Sequence, residues 1–210
     1  GSYLVREYAR HLESLAAQTL DGVLLATDKI RKNRWRIVLQ QAAPVRLTYR
    51  VYCREMSVRT NWVDSDFALL NGAPTFLTLV EDSPRPHDIR LLLPPSWQTT
   101  MTGLPAAPDQ APHHYRAADF DTLVDSPILA GNPTIYPFMV DGKPHSLVNE
   151  GEGGVWDGPR SARDVARIVQ AHWQMWGNAL PYEHYVFFNM ITEAGGGLEH
   201  HNSTVLMTSR

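Results

Sequence analysis

The sequence predicts a mainly β protein: an amino-terminal antiparallel β-sandwich, followed by a helix and a β-hairpin that open a second unit. Three observations carry this. Short stretches of alternating apolar and polar residues, separated by turn signals, fill the chain as far as Val140. One segment after Ser161 repeats its apolar residues with a helical period. Between them lies "NEGEGGVWDGPRS", Asn149 to Ser161, with the Gly and Pro content of a linker. A boundary is therefore expected near residue 150, dividing 1–150 from 151–210.

The elements follow in order. The opening "SYLVREYARHL" reads as strand-like, and "DGVLLATD" as a turn and a short strand. "NRWRIVLQ" sets Trp35, Ile37 and Leu39 against Arg34, Arg36 and Val38. "PVRLTYRVYCRE" alternates more clearly, with Val45, Leu47, Tyr49, Val51 and Cys53 on one side, the pattern of a half-buried strand. "DFALLNGAPTFLTLV" reads as two strands around an Asn71-Gly72 turn, and "DIRLLLPP" as a strand stopped by Pro94 and Pro95. Thr99 to His114, rich in Pro, Ala and Thr, is expected to be a surface loop. "FDTLVDSPILAGNP" and "TIYPFMVDGKPHSLVN" suggest further strands; Asp125 and His145 within them have no partner at local spacing and are expected to be structural or solvated. Ser161 and Asp164 resemble a capping box, Val165, Ile168, Val169, His172 and Trp176 share a helix face, and Gly177 and Pro181 supply the stop. His172 is expected to be a satisfied core histidine, and the Trp173/Trp176 pair to pack in the core or an interface. "EHYVFFNMITEAGGGLEHHNSTVL" closes the chain as strand, glycine turn and strand.

At 210 residues, with 43% hydrophobic and 20% charged residues, the chain holds one sizeable domain or two small ones. A formal net charge of -3 gives no basic surplus for phosphates, which argues against a nucleic-acid partner. No apolar run approaches the roughly 20 residues that cross a bilayer, and no signal peptide is visible. The single cysteine, Cys53, is expected to be a buried thiol and suits a reducing compartment. The expected location is cytoplasmic, with the periplasm as the alternative; composition leaves the oligomeric state open. Both ends read as cut through structure, so a segment of a longer protein is expected.

The chemistry concentrates in "EAGGGLEHHNSTVLMTSR", Glu193 to Arg210. In an extended segment Gly197, Glu199 and His201 share one side, and Leu198 and His200 the other. Leu198 seeks a core, so Glu199 faces open space. Gly196 and Gly197 carry no side chains to keep another backbone away. A peptide can lie along such an edge, its ammonium group held by the carboxylate through charge-assisted hydrogen bonds. The competing reading is a plain glycine turn with solvated flanks, and the residues alone leave both open. His200 and His201 point apart in a strand and make a poor metal pair. No H-E-x-x-H, G-x-S-x-G, P-loop or G-x-G-x-x-G motif is present.

"GGLEHHNSTVLMTSR" resembles the G-G-L-E-H-x-N-S segment of the glycyl aminopeptidase family, zinc metallopeptidases of the thermolysin-like clan. "GSYLVREYARHLE" resembles that family's amino-terminal stretch, and "LPYEHYVFFNMIT" the strand before its glycine segment. The resemblance implies that the β-sandwich is followed by the start of a thermolysin-like α+β catalytic domain. It implies that Glu199 binds the substrate's free α-amine, that Gly196 and Gly197 line the peptide, and that small amino-terminal residues such as glycine and alanine are preferred. His201 lines the cleft on alternation grounds only. In such enzymes H-E-x-x-H supplies two zinc ligands and the general base, and a later Glu the third ligand. Those elements would follow Arg210. Catalytic residues and metal ligands are therefore expected to be absent here, zinc to belong to the intact enzyme, and this chain alone to be inactive.

The expected function is thus the amino-terminal part of a metallo-aminopeptidase acting on peptides with a free amino terminus, without nucleic-acid or membrane partners. The rival is a non-catalytic β-sandwich binding module for a protein or glycan. Exposed aromatics among Trp62, Trp97, Tyr115 and Trp156 would favour the rival, and burial would count against it.

Overall fold

The computed structural model describes residues 4–80 and 84–209, in two compact units, Gly1–Cys53 and Arg54–Arg210. The first three residues of the "SYLVREYARHL" motif's neighbourhood, 1–3, lie outside the described residues, as does Arg210. The structure is mainly β, built from several antiparallel sheets with a few helices, as the alternation predicts. No helix among the described residues is long and apolar enough to cross a membrane.

In the first unit, Tyr8–His11 form a single 3-10 turn where a strand is expected. The reading fails there because the alternating stretch begins only at Leu12. Strand β1 (Leu12–Thr19) pairs antiparallel with β2 (Leu24–Leu25) and β5 (Val45–Val51), while β3 (Thr27–Arg31) and β4 (Arg34–Ile37) form a separate hairpin. Trp35 and Ile37 are half-buried and Arg34 and Arg36 exposed, in the predicted alternation. In β5 the inward side holds at Val45, Tyr49 and Val51 but not at Leu47, which is exposed. Cys53 is half-buried, not fully buried as expected, and its thiol donates to the Val51 carbonyl at 3.3 Å.

The second unit holds β6 (Trp62–Val63), β7 (Ala68–Leu70), the helical turn α1 (Gly72–Thr75), β8 (His87–Arg90), β9 (Thr99–Thr102), β10 (His114–Ala117), α2 (Phe120–Val124) and β11 (Ile128–Gly131). It continues with β12 (Thr134–Val140), β13 (Lys143–Glu150), α3 (Gly158–Met175), β14 (Tyr185–Ile191), β15 (Gly196–Glu199) and β16 (Ser203–Thr208). A four-stranded antiparallel sheet runs β6-β7-β11-β9, and a five-stranded mixed sheet runs β12-β13-β14-β16-β15. These two sheets face each other. Leu69 and Leu129 from the first, with Phe67 just before β7, meet Val148, Val186, Phe188, Met190, Val205 and Met207 from the second in one buried cluster. On the other face of the four-stranded sheet, Ile128 packs with Leu104, Leu123, and Ile89 and Ala117 of the β8/β10 ribbon.

Several expectations are corrected. Asn71-Gly72 does not turn between two strands; Gly72 begins α1 and packs against α2, where an added Cβ would stand 2.4 Å from the Val124 Cα. Only that close approach explains the glycine. Leu79 and Val80 are exposed and belong to no strand. Thr99 to His114 is not a surface loop: β9 is an outer strand of the four-stranded sheet, with Thr100, Thr102, Leu104 and Ala107 buried. Thr100 is buried without penalty because its hydroxyl bonds the Tyr115 hydroxyl and His113 Nδ1.

Helix α3 starts earlier than Ser161. Asp157 is its cap, accepting from the Arg160 backbone N–H at 3.0 Å, with Pro159 in the first turn. Gly177, at φ +73, ends it as expected. The buried stripe is Gly158, Ala162 and Val169, against β12, where Gly158 permits contact with the Tyr136 ring. His172 and Trp176 are therefore exposed, not core. Trp173 is half-buried and donates to Asp141 Oδ2 at 2.9 Å. The β12–β13 hairpin turns through Asp141 and Gly142, both at positive φ, the primed geometry that suits strand twist.

Candidate functional site: a glycine edge strand

The glycine segment does not join two neighbouring strands. Strand β14 pairs in parallel with β16, and β15 returns antiparallel on the far side of β16. Among the described residues, strand β15 is thus the edge of the sheet, with no neighbour along its outer backbone. Leu198 stands opposite Val205 and packs into the core, so Gly197 and Glu199 face the other side, opposite Leu206 and Thr204. This is the arrangement the alternation predicts. The same register continues inward from Gly197 and Leu206 to Asn189 and Asn149, a buried pair joined at 3.0 Å, with Asn149 donating to Glu152 at 2.7 Å.

Gly196 sits at φ +134, a backbone geometry open to glycine and costly for other residues. Gly195, Gly196 and Gly197 are exposed, and a Cβ at Gly195 would meet nothing. Glu199 is exposed, and among the described residues its carboxylate has no cationic partner. Nearby Tyr185 donates its hydroxyl to the Ser203 carbonyl at 2.7 Å. Burial pushes its pKa up to about 12, with Tyr182 and the charges of Glu199 and Asp125 adding to the effect.

The strand ends at Glu199, so alternation does not carry on to His201. His201 is exposed in the following turn, and its backbone N–H donates to Asp125 Oδ2 at 2.9 Å. His200 turns inward; its Nδ1 donates to Asp125 Oδ1 at 2.9 Å and its side chain is only 7% exposed. The turn closes with His200 N–H to the Ser203 carbonyl, 2.8 Å. Asn202 donates to Ser126 Oγ at 3.2 Å. Asp125 and Ser126 therefore hold the turn that follows Glu199, a structural role for Asp125 of the kind expected. No local spacing signals this, because 75 residues separate Asp125 from His200.

His145 is structural, as expected: Nδ1 donates to the Lys143 carbonyl, so Nε2 accepts from the Tyr182 hydroxyl at 3.0 Å. Its burial lowers its pKa and favours the neutral ring. No three His, Cys, Asp or Glu side chains among the described residues converge as a metal centre requires. Of the four aromatics that would serve a binding module, Trp97 is buried and Trp62, Tyr115 and Trp156 are half-buried.

The sequence model of the peptidase M61 N-terminal domain matches residues 1–132. The chain belongs to the peptidase M61 family. The solved structure of an aminopeptidase N family protein from Idiomarina loihiensis is similar to this M61 chain over its whole length, with 33% identity and a TM-score of 0.90. The M61 chain spans 36% of that protein's length. No curated protein matches it.

Proposed function

We propose that the chain is the amino-terminal part of a zinc-dependent aminopeptidase that releases small amino-terminal residues, with Glu199 holding the substrate α-amine. The observation that carries this reading is Glu199 itself: an exposed carboxylate, without a cationic partner among the described residues, at the end of a glycine-rich edge strand. A peptide adding to β15 as an antiparallel strand gains main-chain hydrogen bonds along Gly196 and Gly197, and Glu199 holds its ammonium end. Membership of a peptidase family and the aminopeptidase relative support the same reading. The preference for glycine and alanine is carried over from the glycyl aminopeptidase resemblance.

In this reading zinc belongs to the intact enzyme, as the glycyl aminopeptidase resemblance implies, and its ligands are not supplied by this chain. Its contribution is to bind and orient: it fixes the amine, and thereby which peptide bond is presented for cleavage. In this reading residues 151–210 begin the thermolysin-like catalytic domain, and β13, before that boundary, is hydrogen-bonded to β14 after it in the same sheet. The lack of an exposed platform among the four aromatics weakens the binding-module rival.

The test is the full-length protein on paired peptides with free and acetylated amino termini, with and without a zinc chelator. Cleavage of the free peptide alone, abolished by chelation and restored by zinc, supports the reading. Equal cleavage of both peptides, no cleavage of either, or indifference to the chelator overturns it.

A further inference from the structure

Glu199 is held unevenly. On its amino-terminal side the chain runs through three glycines, and among the described residues β15 has a sheet neighbour on one side only. On its carboxy-terminal side the next two residues are fastened by one carboxylate. Asp125 takes the His200 ring N–H on one oxygen and the His201 backbone N–H on the other, both at 2.9 Å. Asp125 is itself well anchored: it caps the carboxy end of α2, and its backbone N–H bonds the Asp121 carbonyl at 3.0 Å. Ser126 beside it bonds both the Thr122 carbonyl and the Asn202 side chain.

From this geometry we infer that Asp125 is a positioning residue: by clamping His200 and His201 it sets where the Glu199 carboxylate stands. The inference rests on the reading of Glu199 as the amine anchor, and names the residue on which that anchor depends. A side chain that selects a charged amine must be held to within a fraction of an ångström, and β15 alone does not supply that. Placing the clamp in the α2–β11 connection makes the amino-terminal portion of the second unit part of the substrate site.

The chemistry distinguishes two substitutions. Asp125→Ala removes both acceptors. Asp125→Asn keeps an acceptor for the His201 N–H, and its amide N–H₂ donates to His200 Nδ1 once the imidazole takes its other tautomer. The alanine variant is therefore expected to free the turn and the asparagine variant to hold it.

The experiment uses the full-length protein and measures inhibition by a short peptide with a free amino terminus and by the same peptide acetylated. The ratio of the two inhibition constants reads recognition of the amine and is insensitive to a general loss of active protein. Asp125→Ala is expected to reduce the ratio at least about tenfold, since small misplacements of a positioning group cost up to about a hundredfold, and Asp125→Asn is expected to restore most of it. If Asp125→Ala does not fold, His200→Leu, which keeps the buried volume and removes one clamp bond, is expected to lower the ratio as well. A ratio unchanged in these variants, while Glu199→Gln collapses it, overturns the positioning role and leaves the anchor standing. A ratio unchanged in Glu199→Gln overturns the anchor, and the inference with it.

Discussion

The carboxamide of Asn202 occupies the space that a side chain on Gly103 would need. A Cβ at Gly103 would stand 2.2 Å from Asn202 Cγ and Oδ1. Gly103 follows β9, so this contact ties the turn after Glu199 to the four-stranded sheet. Asn202 is also bonded to Ser126 and Ser203, and it cannot swing aside without losing those partners. Gly103→Ala is expected to destabilise by about 1–3 kcal/mol, the usual cost of overpacking. A thermal melt reads this, and an unchanged Tm would show that the turn is free to move.

The two glycines of β15 separate fold from function. Gly196→Ala forces an L residue to φ +134, a strain of about 1–3 kcal/mol that lowers Tm. Gly197→Ala carries no such strain: its Cβ would meet Leu206 Cδ2 at an ordinary 3.4 Å. That methyl group, however, stands on the Glu199 face, beside the proposed peptide path. The expected outcome is a near-normal melt with a raised KM for peptide substrates. A normal KM in Gly197→Ala would mean that peptides do not run along this strand.

Tyr185 makes a pH prediction. Its phenol is raised in the folded chain from 10 to about 12, chiefly by burial. Above pH 10 the unfolded chain loses this proton while the folded chain keeps it, so stability falls as pH rises through that window. The contribution is complete below 10 and lost by about 12. Tyr185→Phe removes the group. Urea midpoints measured across this range are expected to fall more steeply in the wild type than in the variant, and parallel profiles would contradict the assignment.

Much of this was legible in the residues because it depends on local pattern. Alternation located β4 and most of β5, and the face of Glu199 followed from Leu198 seeking the core. What escaped depends on distant partners. The Thr-rich β9 looks like a loop until Tyr115 and His113 arrive to bond Thr100. The burial of His200 needs Asp125, and the exposure of His172 and Trp176 follows from how narrow a stripe α3 presents to β12. The strand order β14-β16-β15 was hidden for a different reason: a glycine turn reads the same whether the strands on either side of it pair with each other or not.

The central claim is that the Glu199 carboxylate holds a substrate ammonium group. The most direct measurement is kcat/KM for the full-length protein on an unblocked alanyl or glycyl substrate, comparing wild type with Glu199→Ala. Loss of a charge-assisted contact of about 1.5–3 kcal/mol predicts a fall of at least about tenfold. An unchanged kcat/KM would contradict it.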